Sequence, residues 1–144
     1  YDKLDAGFVT FWGFGRHPLF AGAGGGTNLG STLPVYEEFL LGGLFSLGGY
    51  SIGELRGQLY GNATAGYHYR LGSLPSALGQ GIYLGALTET GNVWDSTDEM
   101  SLNDLHYSGT AILGADTLMA PFFLAYGHAE EGRSRVYLTI GLKL

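Results

Sequence analysis

Between Arg56 and Leu71 the chain reads RGQLYGNATAGYHYRL and alternates at every step. Leu59, Gly61, Ala63, Ala65, Tyr67, Tyr69 and Leu71 fall on one face. Gln58, Tyr60, Asn62, Thr64, Gly66, His68 and Arg70 fall on the other. A helix would scatter these polar residues around its circumference, whereas a strand sends successive side chains to opposite faces. The stretch is therefore a strand with one apolar or small face and one polar face. The C-terminus repeats the pattern, with Val136, Leu138, Ile140, Leu142 and Leu144 opposed to Tyr137, Thr139, Gly141 and Lys143. Segments 80–91, 105–116 and 118–128 follow it more loosely, as do 2–14 and 18–28. Pro121 falls within one of them and withholds a ladder donor there. Seven strands result.

Composition decides what such strands face. Charged residues make up 14% of the chain, against roughly 25% in an ordinary soluble domain. Aromatics also reach 14%, and 26 of 144 residues are glycine. Without cysteine there is no disulfide framework and no thiolate metal site. A net charge of −6 without a basic stripe argues against nucleic acid as a partner. No apolar run approaches the ~20 residues of a membrane helix. The expected fold is all-β: an antiparallel transmembrane β-barrel, or a portion of one, with residues 1–144 as one barrel domain in a bacterial outer membrane. The opening YDKLDAGFVT has neither an initiator Met nor a signal-peptide pattern, and reads as a processed or truncated chain.

The connections alternate as outer-membrane barrels require. Gly15–His17, Leu71–Gly79 and Asp116–Leu118 are short, whereas 29–55, 92–105 and 129–133 are longer or more polar. Placing Leu144 in the periplasm puts every longer segment outside. Tyr67 and Tyr69 then sit at the periplasmic lipid interface, with Trp12 and Trp94 as further girdle candidates. An odd count leaves an open edge, and in lipid each unsatisfied backbone group costs several kcal/mol. Either part of 33–46 supplies an eighth strand, or the remaining strands come from the same chain or another copy. The glycine-rich AGAGGGTNLG makes a poor lone lipid-facing wall, which favours the larger or shared barrel.

Two further stretches carry a resemblance. Phe39-Leu40-Leu41-Gly42-Gly43 leads to the tip Leu47-Gly48-Gly49-Tyr50, and Leu87-Thr88-Glu89-Thr90-Gly91 follows two strands later. This combination resembles the C-terminal half of the bacterial surface antigen superfamily of outer-membrane barrels. In that family an infolded loop, F-x-L-G-G … [VL]-R-G-[YF], meets a strand motif, F-x-D-x-G, through its arginine and acid. Here Gly48 stands at the arginine position and Glu89 at the aspartate. Leu144 departs from the family's aromatic last residue, although YLTIGLKL otherwise resembles its final strand. Gly53-Glu54-Leu55-Arg56-Gly57 is most similar to the barrel attached to bacterial patatin-like phospholipases. That resemblance implies a sixteen-stranded barrel of which these residues are the last seven. It also implies that any lipase activity resides in a separate N-terminal domain.

The glycine-rich loop thereby gains a physical reason, since a backbone folding back against a wall needs close approach and positive φ. Gly42, Gly43, Gly48, Gly49, Tyr50, Arg56, Glu89 and Gly91 are the expected loop-to-wall contacts. Glu89 shares a face with Tyr83, Gly85, Leu87 and Gly91, so it needs a partner in the lumen, with Arg56, His68 or Arg70 as candidates, or else water. His17, His68, His106 and His128 lack metal-ligand spacing, and no serine sits in G-x-S-x-G, so neither metal, cofactor nor catalytic residue is expected. Asp95, Asp98, Glu99 and Asp104 read as a solvated loop, and Glu130-Glu131-Gly132-Arg133 as a hairpin tip. The expected role is a non-catalytic outer-membrane anchor or translocator-like domain. Its partners would be outer-membrane lipids and a periplasmic domain that it holds or positions. The alternatives are a stand-alone eight-stranded barrel with a structural or surface-binding role, and a small enzyme acting on outer-membrane lipids.

Overall fold

The computed structural model describes residues 1–14, 17–44, 46–72, 75–117 and 120–140. It contains nine strands: β1 Leu4–Phe14, β2 His17–Thr27, β3 Phe39–Leu41, β4 Leu55–Gly57, β5 Leu59–Gly72, β6 Gly79–Trp94, β7 His106–Thr117, β8 Pro121–Ala129 and β9 Ser134–Ile140. Seven of them form one antiparallel sheet in the order β1-β2-β5-β6-β7-β8-β9. These are the seven that alternation marks out. Two differences have simple causes. Strand β6 runs on to Trp94 because its C-terminal end stays paired with Leu59 at the start of β5. Strand β8 begins at Pro121, where a missing N–H costs no interior ladder bond.

The connections after β1, β5 and β7 lie at one end of the sheet, and the two longest, after β2 and β6, lie at the other together with the four-residue β8–β9 turn. Among the described residues of 33–46, no eighth strand joins this sheet. Phe39–Leu41 turns aside and pairs with Leu55–Gly57 in a two-stranded sheet of its own. Among the described residues β1 pairs only with β2 and β9 only with β8, so the sheet is open.

The two faces of the sheet differ sharply. Register places Trp12, Leu19, Tyr67, Ala86, Ala111, Tyr126 and Val136 in one row across all seven strands. The next row holds Leu84, Leu113, Leu124 and Leu138. Nothing covers these side chains, and we call this the bare face. On the opposite, covered face Leu87, Ile112, Phe123 and Ala125 form a buried cluster. A second cluster joins Leu41, Leu47 and Tyr50 from the 28–58 connection to Ala129 of β8. The cover is therefore the chain's own long loop.

The glycine tract of β2 serves that cover. A β-carbon on Gly26 would lie 2.4 Å from the Phe39 ring. With no side chain there, Phe39 lies against the sheet and meets Tyr60 at 4.9 Å between ring centroids.

Candidate functional site

The loop is clamped at its root. Gln58, which is buried, donates through Nε2 to the Leu33 carbonyl at 3.1 Å and to Glu38 Oε1 at 3.0 Å. Its Oε1 accepts from the Leu33 N–H at 2.6 Å. Lys3, just before β1, donates to the Glu37 carbonyl at 2.8 Å and sits 4.5 Å from the centroid of the Phe39 ring. From there β3 and β4 carry the chain onto the covered face, and Gly42, Gly43 and Gly53 take positive φ at the neck of the tip. Leu47 also adopts a left-handed φ of 70°, uncommon for a branched side chain, and is the most fully buried large residue described. Its burial in the loop–sheet cluster holds the backbone in that conformation.

The tip meets the wall through backbone groups. The Gly48 N–H donates to Glu89 Oε2 at 2.6 Å, and the Gly49 N–H donates to Ser108 Oγ at 2.8 Å. The Tyr137 hydroxyl of β9 donates to the Gly48 carbonyl at 2.7 Å. Close packing fixes the same atoms: a β-carbon on Gly48 would lie 2.3 Å from Thr110 Oγ1, and one on Gly127 would lie 2.2 Å from the Gly48 carbonyl oxygen. Glu89 is 3% exposed, and its Oε1 lacks a hydrogen-bond partner, as does Thr110 Oγ1. Five residues separate Glu89 from the end of β6, so the tip reaches about 17 Å down the wall.

Further contacts hold the tip to the β8–β9 end. The Tyr50 hydroxyl and His106 Nδ1 are 2.9 Å apart, and burial pushes the Tyr50 phenol above its ordinary pKa, keeping it protonated. Arg133 pairs with Glu54 and lies 4.9 Å from the centroid of the Tyr50 ring, while Arg135 donates to Ser51 Oγ at 2.8 Å. The loop thus touches both the first and the last strand regions of the sheet.

No protein-family model matches this chain, and no curated protein matches it.

The expected contact residues divide into groups. Gly48, Gly49, Tyr50 and Glu89 come together at the wall. Gly42 and Gly43 instead shape the loop internally, since β-carbons there would meet the Ser51 carbonyl and Ile52. Gly91 packs against Gly61 and Asn62 of the neighbouring strand, not against the loop. Arg56 is not the partner of Glu89. Pairing with Leu40 across the β3–β4 hairpin turns it outward, 3.6 Å from Glu38 Oε2. His68 and Arg70 lie against Tyr83, at 5.1 and 6.0 Å, six residues along β6 from Glu89. Trp94 leaves the girdle set because the long-connection end of the sheet buries it. Trp12, Tyr67 and Tyr69 do lie on the bare face, the two tyrosines stacked at 6.4 Å.

Ser108, Thr110, Gly127, Ala129 and Tyr137 escaped the sequence reading. The signal that could have found them is parity. Each stands on the same face as Glu89, where small residues leave room for a loop and one tyrosine provides a donor. Arg133, expected only as part of a hairpin tip, also holds Glu54 and Tyr50.

Beside β3 a cavity of about 390 Å³ opens toward β1 and β5, lined in part by Lys3, Asp5, Phe39, Tyr60 and Asn62. Several of its polar groups are already engaged: Tyr60 donates to Asp5 at 2.5 Å, and Lys3 to the Glu37 carbonyl. The arrangement as a whole docks a loop.

Proposed function

We propose that this chain is part of the wall of a bacterial outer-membrane β-barrel and acts as a non-catalytic anchor whose own loop occupies the lumen. The bare face carries this reading. On β7 its residues are apolar or small from Tyr107 to Ala115, about 27 Å along the strand, and the rows through Ala111, Leu113 and Ala115 stay apolar across the adjacent strands, while the row through Gly109 includes Thr88, His128 and Ser134. That length matches the ~25 Å apolar band of outer-membrane barrels. A monomeric soluble domain rarely leaves so large an apolar patch uncovered. The covered face supports the same reading, because a loop from the long-connection end supplies donors to Glu89 Oε2 and Ser108 Oγ there. The resemblance to patatin-associated barrels adds that the anchored partner is a periplasmic domain.

Two-sided labelling tests the reading. Cysteines replacing Ser76 in a short turn and Asp98 in a long connection are exposed to a membrane-impermeant maleimide, first in intact cells and then after the outer membrane is opened. The expected result is Asp98→Cys labelled in intact cells and Ser76→Cys labelled only after opening. Labelling of both from the same side, or release of the protein from membranes by alkaline carbonate, would overturn it.

A further inference from the structure

The covered face is sealed over some strands and open over others. On β6 and β7 the loop tip leaves Glu89 3% and Ser108 and Thr110 each 4% exposed. On β1 and β5, by contrast, Asp5 is exposed and Asn62 part-exposed, and the cavity of about 390 Å³ opens beside them. That volume falls within the roughly 300–1,000 Å³ of small-molecule sites. Glycine makes the room. Register sets Gly7 and Gly24 beside Asn62 in one row, and Asp5 and Gly26 beside Tyr60 in the next. A β-carbon on Gly24 would lie 2.9 Å from Asn62 Oδ1 and 3.4 Å from the Tyr60 hydroxyl oxygen. Its absence lets both polar side chains lie over β2.

The charges in the lining decide what the cavity takes. Lys3 lies 3.8 Å from Glu37 Oε2, and Glu38 Oε2 lies 3.6 Å from Arg56 Nε, so each has an opposite charge of its own. Asp5 has a neutral partner: the Tyr60 hydroxyl donates to its Oδ1, and the second carboxylate oxygen remains an acceptor. Asn62 makes no side-chain hydrogen bond among the described residues and keeps both its amide donors and its carbonyl. A cation at Asp5 would meet the Lys3 ammonium two residues back along the chain and in the same lining. An anion would meet Asp5 and Glu38. What suits this set is a neutral molecule whose groups both donate and accept. Hydroxyls do so, donating to Asp5 and the Asn62 carbonyl and accepting from Lys3 and the Asn62 amide. Leu40, also in the lining and half exposed, gives the carbon skeleton an apolar wall.

We infer that the cavity beside β3 binds a soluble, neutral saccharide, held by Asp5, Asn62 and Lys3. The site is on the covered face, opposite the uncovered leucine rows. Its saccharide is therefore one in solution and not the sugar of a lipid packed against the bare face. The inference goes beyond the anchor reading and does not depend on what the bare face meets.

Saturation-transfer difference NMR tests this on the full-length protein in dodecylphosphocholine, a detergent without a sugar head. The probes are maltose, lactose, trehalose and cellobiose, with putrescine and inorganic phosphate as charged comparisons. The expected result is transfer to at least one disaccharide and about ten-fold weaker binding of it to Asp5→Ala and to Asn62→Ala. Asn62→Ala removes no hydrogen bond of the described fold, so its loss of binding reads the site itself, with circular dichroism matching the wild type. Gly24→Ala crowds Asn62 without removing it and is expected to weaken binding by a smaller factor. Transfer to none of the four disaccharides, equal binding to the wild type and all three variants, or displacement of the disaccharide by putrescine or phosphate would each overturn it.

Discussion

At Gly49 one added methyl decides whether the loop stays docked. A β-carbon there would lie 2.4 Å from Ala129 Cβ and 2.5 Å from its backbone N, and no rotamer can relieve a clash with backbone. Gly49→Ala is expected to weaken docking by about 1–3 kcal/mol, the usual cost of overpacking a close contact. Limited proteolysis within 42–53 should accelerate accordingly, while the sheet remains heat-stable. Gly109→Ala is the control: nothing lies within 4 Å of its β-carbon position, and no change is expected. Glu89 gives a graded test. Glu89→Gln keeps an acceptor for the Gly48 N–H but exchanges a charge-assisted bond of about 1.5–3 kcal/mol for a neutral one of about 0.5–1.5 kcal/mol. Glu89→Ala removes the acceptor and leaves a buried donor unpaired. Loop proteolysis should therefore rise in the order wild type, Gln, Ala; equal rates for all three would show that packing alone holds the tip.

At the scale of elements, the loop has a buried root and a more exposed set of contacts at the β8–β9 turn. Gln58 ties the start of the loop to its end through hydrogen bonds out of reach of solvent. Gln58→Ala is expected to cost about 1–3 kcal/mol by orphaning the Leu33 N–H and carbonyl. Faster hydrogen exchange over 28–41 would register the loss. Arg133 and Glu54 are part-exposed, so Arg133→Ala should produce a smaller, salt-dependent change. If Arg133→Ala loosened the loop more than Gln58→Ala, the clamp would be misplaced. How much of this was legible follows from the same elements. The seven strands of the main sheet were readable because alternation is a local signal, strong where one face is apolar and the other polar. Infolding of the loop was readable from Gly48, Gly49 and Glu89 only with the help of a resemblance. The β3–β4 hairpin was not readable, since two three-residue strands hold no periodicity. Nor was the Arg56–Glu38 pair, because a local hairpin register decides where Arg56 points.

For the whole molecule, the same substitution has different consequences in water and in lipid. Leu113 sits within the apolar band of the bare face, one row from Ala111 at its centre on β7, with Leu84 and Leu124 beside it in the same row. In a soluble sheet an exposed Leu→Arg change stays within about 0.5 kcal/mol. In an outer-membrane wall an arginine at the bilayer midplane costs about 2–4 kcal/mol, falling to about 0–1 kcal/mol near the interfaces. Leu113→Arg is therefore expected to lower the folded fraction in phosphatidylcholine vesicles, measured as the species that shifts on boiling. Tyr107→Arg, three rows nearer the long-connection end, should cost far less. The ratio between the two positions carries the information, since a general loss of foldability would lower both alike. A depth-dependent penalty would mean that the bare face meets hydrocarbon, and that the loop on the other face lies where a lumen would be. Equal, small effects would mean that it meets water. The uncovered leucine rows would then call for a protein partner, and the open edge at β1 would lie in a soluble assembly.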